Sequence, residues 1–408
     1  MPAPLSNRAR LAPASPIRRL AALADGARAR GVHVHHLNIG QPDLPTSPAM
    51  VAAYRAYDAT TIAYSPSQGT PALRAGWAEA YRRQGLHGAL PPVTADQVMI
   101  TVGGSEALLF AFAAACDVGD AVLVAEPYYT NYRGIAHILG VEVVSLPTRV
   151  EDGFALHLED VQAALTPNVR AIVLPSPGNP TGRVLDRATL DALGALAVER
   201  DVLLVLDEVY REFVYDDDLT GLAPSALAIA GAEEHVVIID SVSKRYSACG
   251  ARIGALITRN ATFYDACLRF AQARLSPPTV DQEAALAALQ APDEELRPSI
   301  AEYRRRRDAL IEGLRAIPGV RAPCPAGAFY LVAELPVDDA DAFCRFLLTD
   351  FAHRGETVML APAEGFYATP GKGRSEVRIA YVLELDALRR AVECLAAGLQ
   401  AWAARSAG

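Results

Sequence analysis

The residue with the most distinctive chemistry in this sequence is Lys244, because lysine is so rare in the chain. Only Lys244 and Lys372 occur among the 38 lysine and arginine residues. Arginine serves as well as lysine in surface ion pairs, but at ordinary pH only lysine loses a proton and attacks a carbonyl carbon. Lys372 lies in the glycine-containing segment 369–374, which predicts an exposed loop. Lys244 is therefore the candidate Schiff-base residue.

Polar side chains follow several apolar runs that predict strands. These groups are Gly103, Gly104 and Ser105; Tyr128, Tyr129 and Tyr132; Asn179; Asp207 and Tyr210; and Ser241, Ser243, Lys244 and Arg252. A glycine pair before a helix forms an anion cradle, tyrosine stacks on planar rings, and arginine binds phosphate bidentately. A carboxylate at the end of an apolar strand, such as Asp207, needs a cation such as a protonated ring nitrogen. Together the groups predict a site for pyridoxal phosphate.

The elements that must position these groups alternate along the chain. Apolar, β-branched runs predict strands at 98–102, 121–124, 142–145, 171–174, 202–206, 236–239 and 254–257, and helical spacing recurs at 105–115, 159–165 and 186–199. This alternation predicts an α/β fold with a mostly parallel sheet, in which ligands bind at the carboxyl ends of the strands. A further helix is predicted over 283–316, with arginines 304–307 on a solvated face.

Composition excludes several classes of function. The net charge of −9 disfavours binding to nucleic acid or to anionic membranes, and no apolar stretch reaches the ~20 residues that span a bilayer. Six scattered cysteines without C-x-x-C spacing predict free thiols in a reducing, cytoplasmic setting and no metal site. Residues 1–37 contain arginine and alanine but no glutamate, as transit peptides do. Helical spacing from Ile17 favours an amphipathic N-terminal arm instead.

Three motifs carry a resemblance to a known family. Asn179-Pro-Thr-Gly182, Asp207-Glu-Val-Tyr210 and Ser241-Val-Ser-Lys244 with Arg252 follow one another in order and spacing. The chain resembles the fold-type I, pyridoxal-phosphate-dependent aminotransferases of class I/II, the aspartate/aromatic aminotransferase superfamily, from Leu37 to Arg378. The resemblance implies a large domain with a mostly parallel seven-stranded sheet between helices, and a smaller α/β domain from both chain ends. The implied boundaries are 1–45 for the arm and part of the small domain, 46–290 for the large domain and 291–408 for the rest of the small domain.

The resemblance also implies a role for each candidate residue. Lys244 would form the Schiff base and shuttle the substrate proton, and Asp207 would keep the pyridine nitrogen protonated. Asn179 and Tyr210 would hold the phenolate oxygen, and Tyr129 would stack on the ring, where well-studied members have tryptophan. The phosphate ligands would be Gly103, Gly104, Ser105, Ser241, Ser243 and Arg252, joined by Tyr64 from the neighbouring subunit of a homodimer. Arg378, with Gly40 and Asn179, would bind the substrate carboxylate.

The implied reaction is a ping-pong transfer of an amino group between an L-amino acid and a 2-oxo acid. Acidic-substrate relatives resemble Gly-Gly-Lys where this chain has Ser105, so an aspartate-like donor requires compensation from Arg18 or Arg19. An aromatic rim of Tyr64, Tyr129 and Tyr132 would favour an aromatic or neutral donor instead.

Two other functional classes stay open at this stage. A carbon–sulfur β-lyase, or a biosynthetic cyclase or oxidase, on the same scaffold would share the cofactor residues. A non-catalytic regulator would need a DNA-binding module, and residues 1–40 have no helix-turn-helix pattern.

Overall fold

The computed structural model describes residues 4–215 and 221–406. The strands are β1 (His33–His36), β2 (Val98–Thr101), β3 (Ala121–Glu126), β4 (Glu142–Pro147), β5 (Val169–Pro175), β6 (Leu203–Asp207), β7 (Val236–Ser241), β8 (Gly254–Thr258), β9 (Tyr330–Glu334), β10 (Glu356–Met359), β11 (Ala361–Pro362) and β12 (Glu376–Ala380). The helices are α1 (Asn7–Arg10), α2 (Ala21–Ala29), α3 (Pro48–Ala56), α4 (Pro71–Arg83), α5 (Gly104–Ala115), α6 (Asn131–Leu139), α7 (Leu158–Ala164), α8 (Arg187–Arg200), α9 (Val242–Arg245), α10 (Ala261–Arg274), α11 (Thr279–Gln290), α12 (Arg297–Arg315), α13 (Ala340–Thr349) and α14 (Leu385–Ser406).

The largest sheet contains seven strands of the described residues, in the order β2-β8-β7-β6-β5-β3-β4. Strand β8 runs antiparallel to both of its neighbours, and the remaining pairs are parallel. Successive residues of β6 enter different cores, because Leu204 and Leu206 pack on one face and Val205 on the other. Both faces are therefore covered, which confirms the predicted α/β fold.

The direction of the strands brings the predicted site residues to one edge of this sheet. Strands β2, β3, β5, β6 and β7 all end there, because β8 is antiparallel to both β2 and β7. Gly254, the first residue of β8, pairs with the last residues of β2 and β7, Thr101 and Ser241. The segment before β8, which contains Arg252, therefore reaches the same edge.

A second group of sheets joins the two ends of the chain. Strands β11, β12 and β9 form an antiparallel sheet, and β1 pairs with β10 in parallel. A separate hydrophobic cluster lies among these strands and helices, with Leu20 and Val34 from the N-terminal part and Phe343 and Leu395 from the C-terminal part. The domain boundaries near residues 45 and 290 stay a prediction.

The helix predicted over 283–316 is in fact two helices, α11 and α12. The chain leaves the helical path at Ala291, whose backbone is extended because a proline follows it. Pro298 occupies the first turn of α12, where a missing N–H is tolerated. The solvated face predicted for arginines 304–307 is wrong for two of them. Arg306 and Arg307 are 3% and 7% exposed. Arg306 donates to Asp43 and to the carbonyl of Val382, so it joins distant segments of the chain.

The N-terminal arm packs as an amphipathic helix, as its spacing predicts. Leu20, at the N-cap of α2, and Ala24 and Ala27, within it, are buried, whereas Ile17 lies in a turn before the helix. Lys372 lies in an exposed turn region. Among the described residues, none of the helices combines the length and the apolar content that crossing a bilayer requires.

Candidate active site

A cavity of about 440 Å³ opens at the carboxyl edge of the seven-stranded sheet. Most of the predicted site residues line it. They are Gly40, Gly104, Ser105, Tyr129, Asn179, Asp207, Tyr210, Ser241, Ser243, Lys244, Arg252 and Arg378. Residues that lie more than 300 positions apart in the sequence therefore face one space.

An anion cradle forms where β2 gives way to α5. Gly103 is the N-cap of this helix and has a left-handed backbone (φ 73°), which glycine adopts without strain. A β-carbon on Gly103 would overlap the guanidinium of Arg252, so glycine is needed for their close approach. The first N–H groups of α5 and the Arg252 side chain thus offer positive charge to the cavity at one place.

The short helix α9 presents Lys244. Ser241 caps this helix by accepting a hydrogen bond from the backbone N–H of Ser243 at 3.1 Å, and the two serine hydroxyl oxygens lie 2.8 Å apart. Lys244 Nζ donates to the carbonyl oxygen of Gly40 at 3.0 Å and lies 3.7 Å from the Sγ atom of Cys249. The cap therefore fixes the turn from which the amine enters the cavity.

Asp207 is a buried carboxyl group at the end of β6. Its Oδ2 accepts from the hydroxyl of Tyr132 at 2.9 Å, and its Oδ1 accepts from the N–H of Val209 at 3.4 Å. Burial raises the pKa of Asp207 to about 6 in spite of these two hydrogen bonds. A cation placed beside the carboxyl would favour its ionised form, which suits a protonated ring nitrogen.

Tyr210 and Tyr330 form a pair of hydroxyl groups above Gly40. Their hydroxyl oxygens lie 3.0 Å apart, and Tyr330 donates to the carbonyl of Gly40 at 3.2 Å. Burial raises the pKa of Tyr210 well above its usual value, so its hydroxyl stays protonated. A β-carbon on Gly40 would overlap the Tyr330 ring. Sequence reasoning missed Tyr330; its only signal is an aromatic pair that follows Gly327 and Ala328.

Arg378 on β12 is a buried guanidinium whose partners are neutral. Its Nη1 donates to Asn179 Oδ1 at 3.2 Å and its Nη2 to the carbonyl oxygen of Asn38 at 2.5 Å. Its buried Nε has no hydrogen-bond partner in the part of the chain that the structure describes. Burial lowers the pKa of Arg378. A buried cation with an unused donor is suited to a carboxylate of a bound molecule.

Comparison with known proteins identifies the scaffold. The family described as aminotransferase class I and II matches residues 32–395. The chain belongs to the class I and II aminotransferases. An aspartate/prephenate aminotransferase of Thermus thermophilus is 35% identical over 376 residues, which are 90% of this chain and 91% of that protein. An arginine–pyruvate transaminase of Pseudomonas aeruginosa is 33% identical over 374 residues, 90% of each chain.

Solved structures agree with this assignment. An aspartate aminotransferase from Thermus thermophilus, determined with maleate, superposes with a TM-score of 0.86 at 33% identity and covers 97% of this chain and 100% of its own. The chain is therefore an aminotransferase, and its family implies pyridoxal phosphate and substrates of the amino-acid and keto-acid classes. These findings favour transamination over the lyase and the cyclase or oxidase alternatives.

Two tyrosines of the aminotransferase lie outside the cavity. Tyr64 is 80% exposed, and Tyr132 is fully buried behind Asp207. The expected aromatic rim is therefore wrong for Tyr132, whereas Tyr129 lines the cavity. Tyr64, which is expected from the neighbouring subunit, stays a prediction. The sequence could not distinguish a rim from a second layer, because all three tyrosines lie near strand ends or loops.

The two arginines of the N-terminal arm have different environments in the aminotransferase. Arg18 lines the cavity together with Ser15 and Ile17. Arg19 Nη2 instead forms an ion pair with Asp341 Oδ1 at 2.7 Å, on α13. Of the two candidates for a carboxylate contact, only Arg18 reaches the site.

A buried ion-pair network lies directly behind the site of the aminotransferase. Glu208, Asp240 and Arg245 are the sequence neighbours of Asp207, Ser241 and Lys244, and all three are buried. They join Arg211 and Glu212, with Arg211 Nη1 3.1 Å from Glu208 Oε2 and Arg245 Nη1 2.8 Å from Glu212 Oε1.

Asp240 is the best-paired member of this network. Trp77 and Tyr81 donate to its Oδ2 at 2.9 and 3.0 Å. Burial alone would raise the pKa of Asp240, but Arg245 and Arg211 lower it to about 2. Burial raises the pKa of Glu208 to about 7. Every member of the network thus has a charged or polar partner from the protein.

Proposed function

We propose that this aminotransferase binds pyridoxal phosphate in the cavity, with the amine of Lys244 attached to the cofactor aldehyde. The observation that carries the proposal is the meeting of Lys244, Asp207 and Arg378 around one cavity. These are an amine, a carboxyl group suited to a cation and a guanidinium suited to a carboxylate. When bound, the cofactor supplies a ring that withdraws electrons from the bonds at the substrate Cα.

The surrounding residues fit the other parts of the cofactor. The N-terminus of α5 with Ser105, Ser241, Ser243 and Arg252 would bind the phosphate, because backbone N–H groups, hydroxyls and a guanidinium converge there. Asp207 would hold the protonated ring nitrogen. Asn179 and Tyr210 would donate to the phenolic oxygen, and Tyr129 would cover a ring face.

The substrate would lie between Arg378 and Lys244. Arg378 would bind the α-carboxylate with the unused Nε donor, while Asn179 and the Gly40 segment fix its orientation. The Lys244 amine would be placed to take the proton from the substrate Cα and to give it back, as a general base and acid. Its hydrogen bond to the carbonyl of Gly40 supports this role, since the same carbonyl borders the cavity.

The first test of this proposal is the absorbance spectrum of the purified protein with added pyridoxal phosphate. A Schiff-base band should appear in the wild-type protein and be missing in Lys244→Ala. Single amino acids, added without an acceptor, should convert the band to the pyridoxamine form. A wild-type protein without the band would overturn the assignment of Lys244. Pyruvate and ammonia that accumulate without an acceptor would favour the lyase.

We also propose a homodimer in which Tyr64 enters the site of the partner subunit. Its exposure supports this arrangement, and so do the exposed side chains of Ile62, Phe270 and Leu275. Co-expression of Lys244→Ala and Tyr64→Ala chains with different tags tests it. A mixed dimer would contain one intact site if Tyr64 acts across the interface, so activity should return. No return of activity in the isolated mixed dimer would mean that Tyr64 acts within its own chain.

A cytoplasmic setting fits the thiols, all six of which are free of disulfides. Titration of the unfolded, unreduced protein with a thiol reagent should therefore give six thiols.

A further inference from the structure

We propose that Arg18 binds a second carboxylate, on the side chain of the substrate, and so makes this enzyme selective for dicarboxylic amino acids and 2-oxo acids. The inference rests on the proposed function, because it places the substrate α-carboxylate at Arg378. Arg18 lines the same cavity as Arg378. Among the described residues, no carboxylate forms an ion pair with Arg18, whereas Arg19 is paired with Asp341.

The segment that carries Arg18 is fixed on both sides. The amide of Asn38 donates to the carbonyl of Ile17 at 2.9 Å, and the Ile17 side chain packs against the cluster of Ala361, Ala363, Phe366 and Tyr367. Leu20, two residues further on, is 1% exposed. The backbone of Arg18 is therefore held at the cavity by the residues around it, which limits the entropy that the backbone loses on binding.

The same contacts tie Arg18 to the substrate side of the cavity. The carbonyl of Asn38 accepts from Arg378 Nη2, while its side chain holds Ile17. The guanidinium of Arg378 also lies 5.1 Å from the ring centre of Phe366, a member of the cluster that holds Ile17. Asn38 and Phe366 thus position both arginines, one for each end of a dicarboxylate.

The charges around the cavity leave Arg18 without an assigned anion. Four basic side chains of the described chain line the cavity, namely Arg18, Lys244, Arg252 and Arg378, whereas Asp207 is the sole carboxyl group among the described lining residues. The cofactor phosphate accounts for Arg252, the aldehyde for Lys244 and the α-carboxylate for Arg378. A neutral substrate would leave the Arg18 guanidinium unpaired at the site, whereas a side-chain carboxylate would give it an anionic partner.

The aromatic alternative has weaker support in this chain. Tyr132 is buried behind Asp207. The proposed place of Tyr64, in the site of the partner subunit, is at the cofactor phosphate and not at the substrate side chain. Three tyrosines of the described chain line the cavity, Tyr129, Tyr210 and Tyr330. Tyr129 and Tyr210 are assigned to the cofactor in the proposed function, and Tyr330 is hydrogen-bonded to Tyr210 and to the carbonyl of Gly40. Ser105 offers only a neutral hydroxyl at the helix N-terminus. Of the described residues, Arg18 is therefore the lining group with a free charge that could select a side chain.

The test compares Arg18→Gln with Arg19→Gln, a matched control that removes a neighbouring arginine outside the cavity. Values of kcat/KM are measured for aspartate and glutamate and for alanine, leucine and phenylalanine. Arg18→Gln should lower the acidic values roughly 10- to 100-fold, as loss of a charge-assisted hydrogen bond does. The neutral values, and all values for Arg19→Gln, should stay within about twofold, as for most surface substitutions.

A binding measurement makes the inference independent of turnover. Succinate carries two carboxylates and butyrate one, and neither has an amino or oxo group to react. Calorimetry should show that Arg18→Gln weakens succinate binding and leaves butyrate binding unchanged.

Two results would overturn the role of Arg18. One is an equal loss for acidic and neutral ligands, and the other is a wild-type preference for leucine or phenylalanine. A protein that forms the Schiff-base band and transaminates, yet gives either result, refutes this inference alone. A missing band refutes the proposed function.

Discussion

The cavity and the ion-pair network behind it contain residues that are neighbours in the sequence. They differ in whether a charged side chain finds its partner within the protein. Asp207, Ser241 and Lys244 face the cavity, whereas Glu208, Asp240 and Arg245 enter the network. Successive side chains point to opposite faces along a strand, and they point in different directions around the short helix α9. In the network each charge meets a partner within the protein. In the cavity Asp207 and Arg378 have only neutral hydrogen-bond partners, so a ligand must complete them.

The contrast shows how one set of strand ends serves both function and stability. A buried charge is costly unless it is paired, so a site that reserves charges for a ligand destabilises the protein. The adjacent network fixes the ends of β6 and β7 through Arg211 and Arg245, each bound to acidic groups on both strands or their loops. The two regions should therefore respond differently to substitution.

The largest difference is expected for Lys244→Ala. The turnover number should fall by about 10⁴-fold, since in the proposed function the amine would both attach the cofactor and move the proton. Thermal unfolding of the cofactor-free protein should change little, because no network contact is removed. Lys372→Ala, the other lysine and an exposed one, should retain wild-type turnover. Equal losses in the two variants would remove the distinction between the lysines.

Breaking the network should lower the stability of the protein, which Lys244→Ala should leave nearly unchanged. Arg211→Leu leaves Glu208 and Glu212 without this guanidinium, and loss of one partner of a buried ion pair costs about 3–5 kcal/mol. Urea unfolding of the cofactor-free protein measures this loss. Arg82→Leu, which removes an exposed pair with Glu79, should change the stability far less, because solvent screens the pair. Similar losses in both variants would mean that burial adds nothing to the network.

Asp207→Asn should stabilise the cofactor-free protein while weakening its activity. The folded pKa of about 6 lies above the ordinary value, so the folded chain binds a proton that the unfolded chain has released. Stability therefore falls as pH rises from about 4 to about 6 in the wild type. The variant should lack this loss and be more stable above pH 6 by about 2–3 kcal/mol.

Unfolding of both proteins at pH 4.5 and pH 7.5 checks the prediction for Asp207, because the contribution of Glu208 cancels in the difference. A difference between the two proteins that does not depend on pH would contradict the raised pKa.

The smallest expected effect belongs to Tyr330→Phe. The substitution removes the hydroxyl that is hydrogen-bonded to Tyr210 and to the carbonyl of Gly40. One hydrogen bond of about 1 kcal/mol corresponds to a roughly fivefold change in rate. Tyr215→Phe removes another buried tyrosine hydroxyl, bound to the carbonyl of Ala328, away from the cavity. Its stability should fall without a change in rate. A loss of rate in Tyr215→Phe, without one in Tyr330→Phe, would contradict this prediction.

The sequence predicted what depends on local pattern and missed what depends on packing between distant segments. The place of Asp207 and Lys244 at the cavity follows from local pattern, because each comes after an apolar run and parallel topology brings such ends together. Tyr132 was misread as part of a rim because its distance from Asp207 is set by the packing of α6 on the sheet. Burial of Arg306 does not follow from the local pattern, because its partners Asp43 and Val382 lie far away in the chain.

The order in which the chain is synthesised also matters for this cavity. The sheet that carries Gly104, Asp207 and Lys244 is complete once β8 has been made, at Thr258. Arg378 lies on β12, and β1 near the N-terminus finds its partner only when β10 appears. A nascent chain on the ribosome thus has the elements of its cofactor half long before its substrate half.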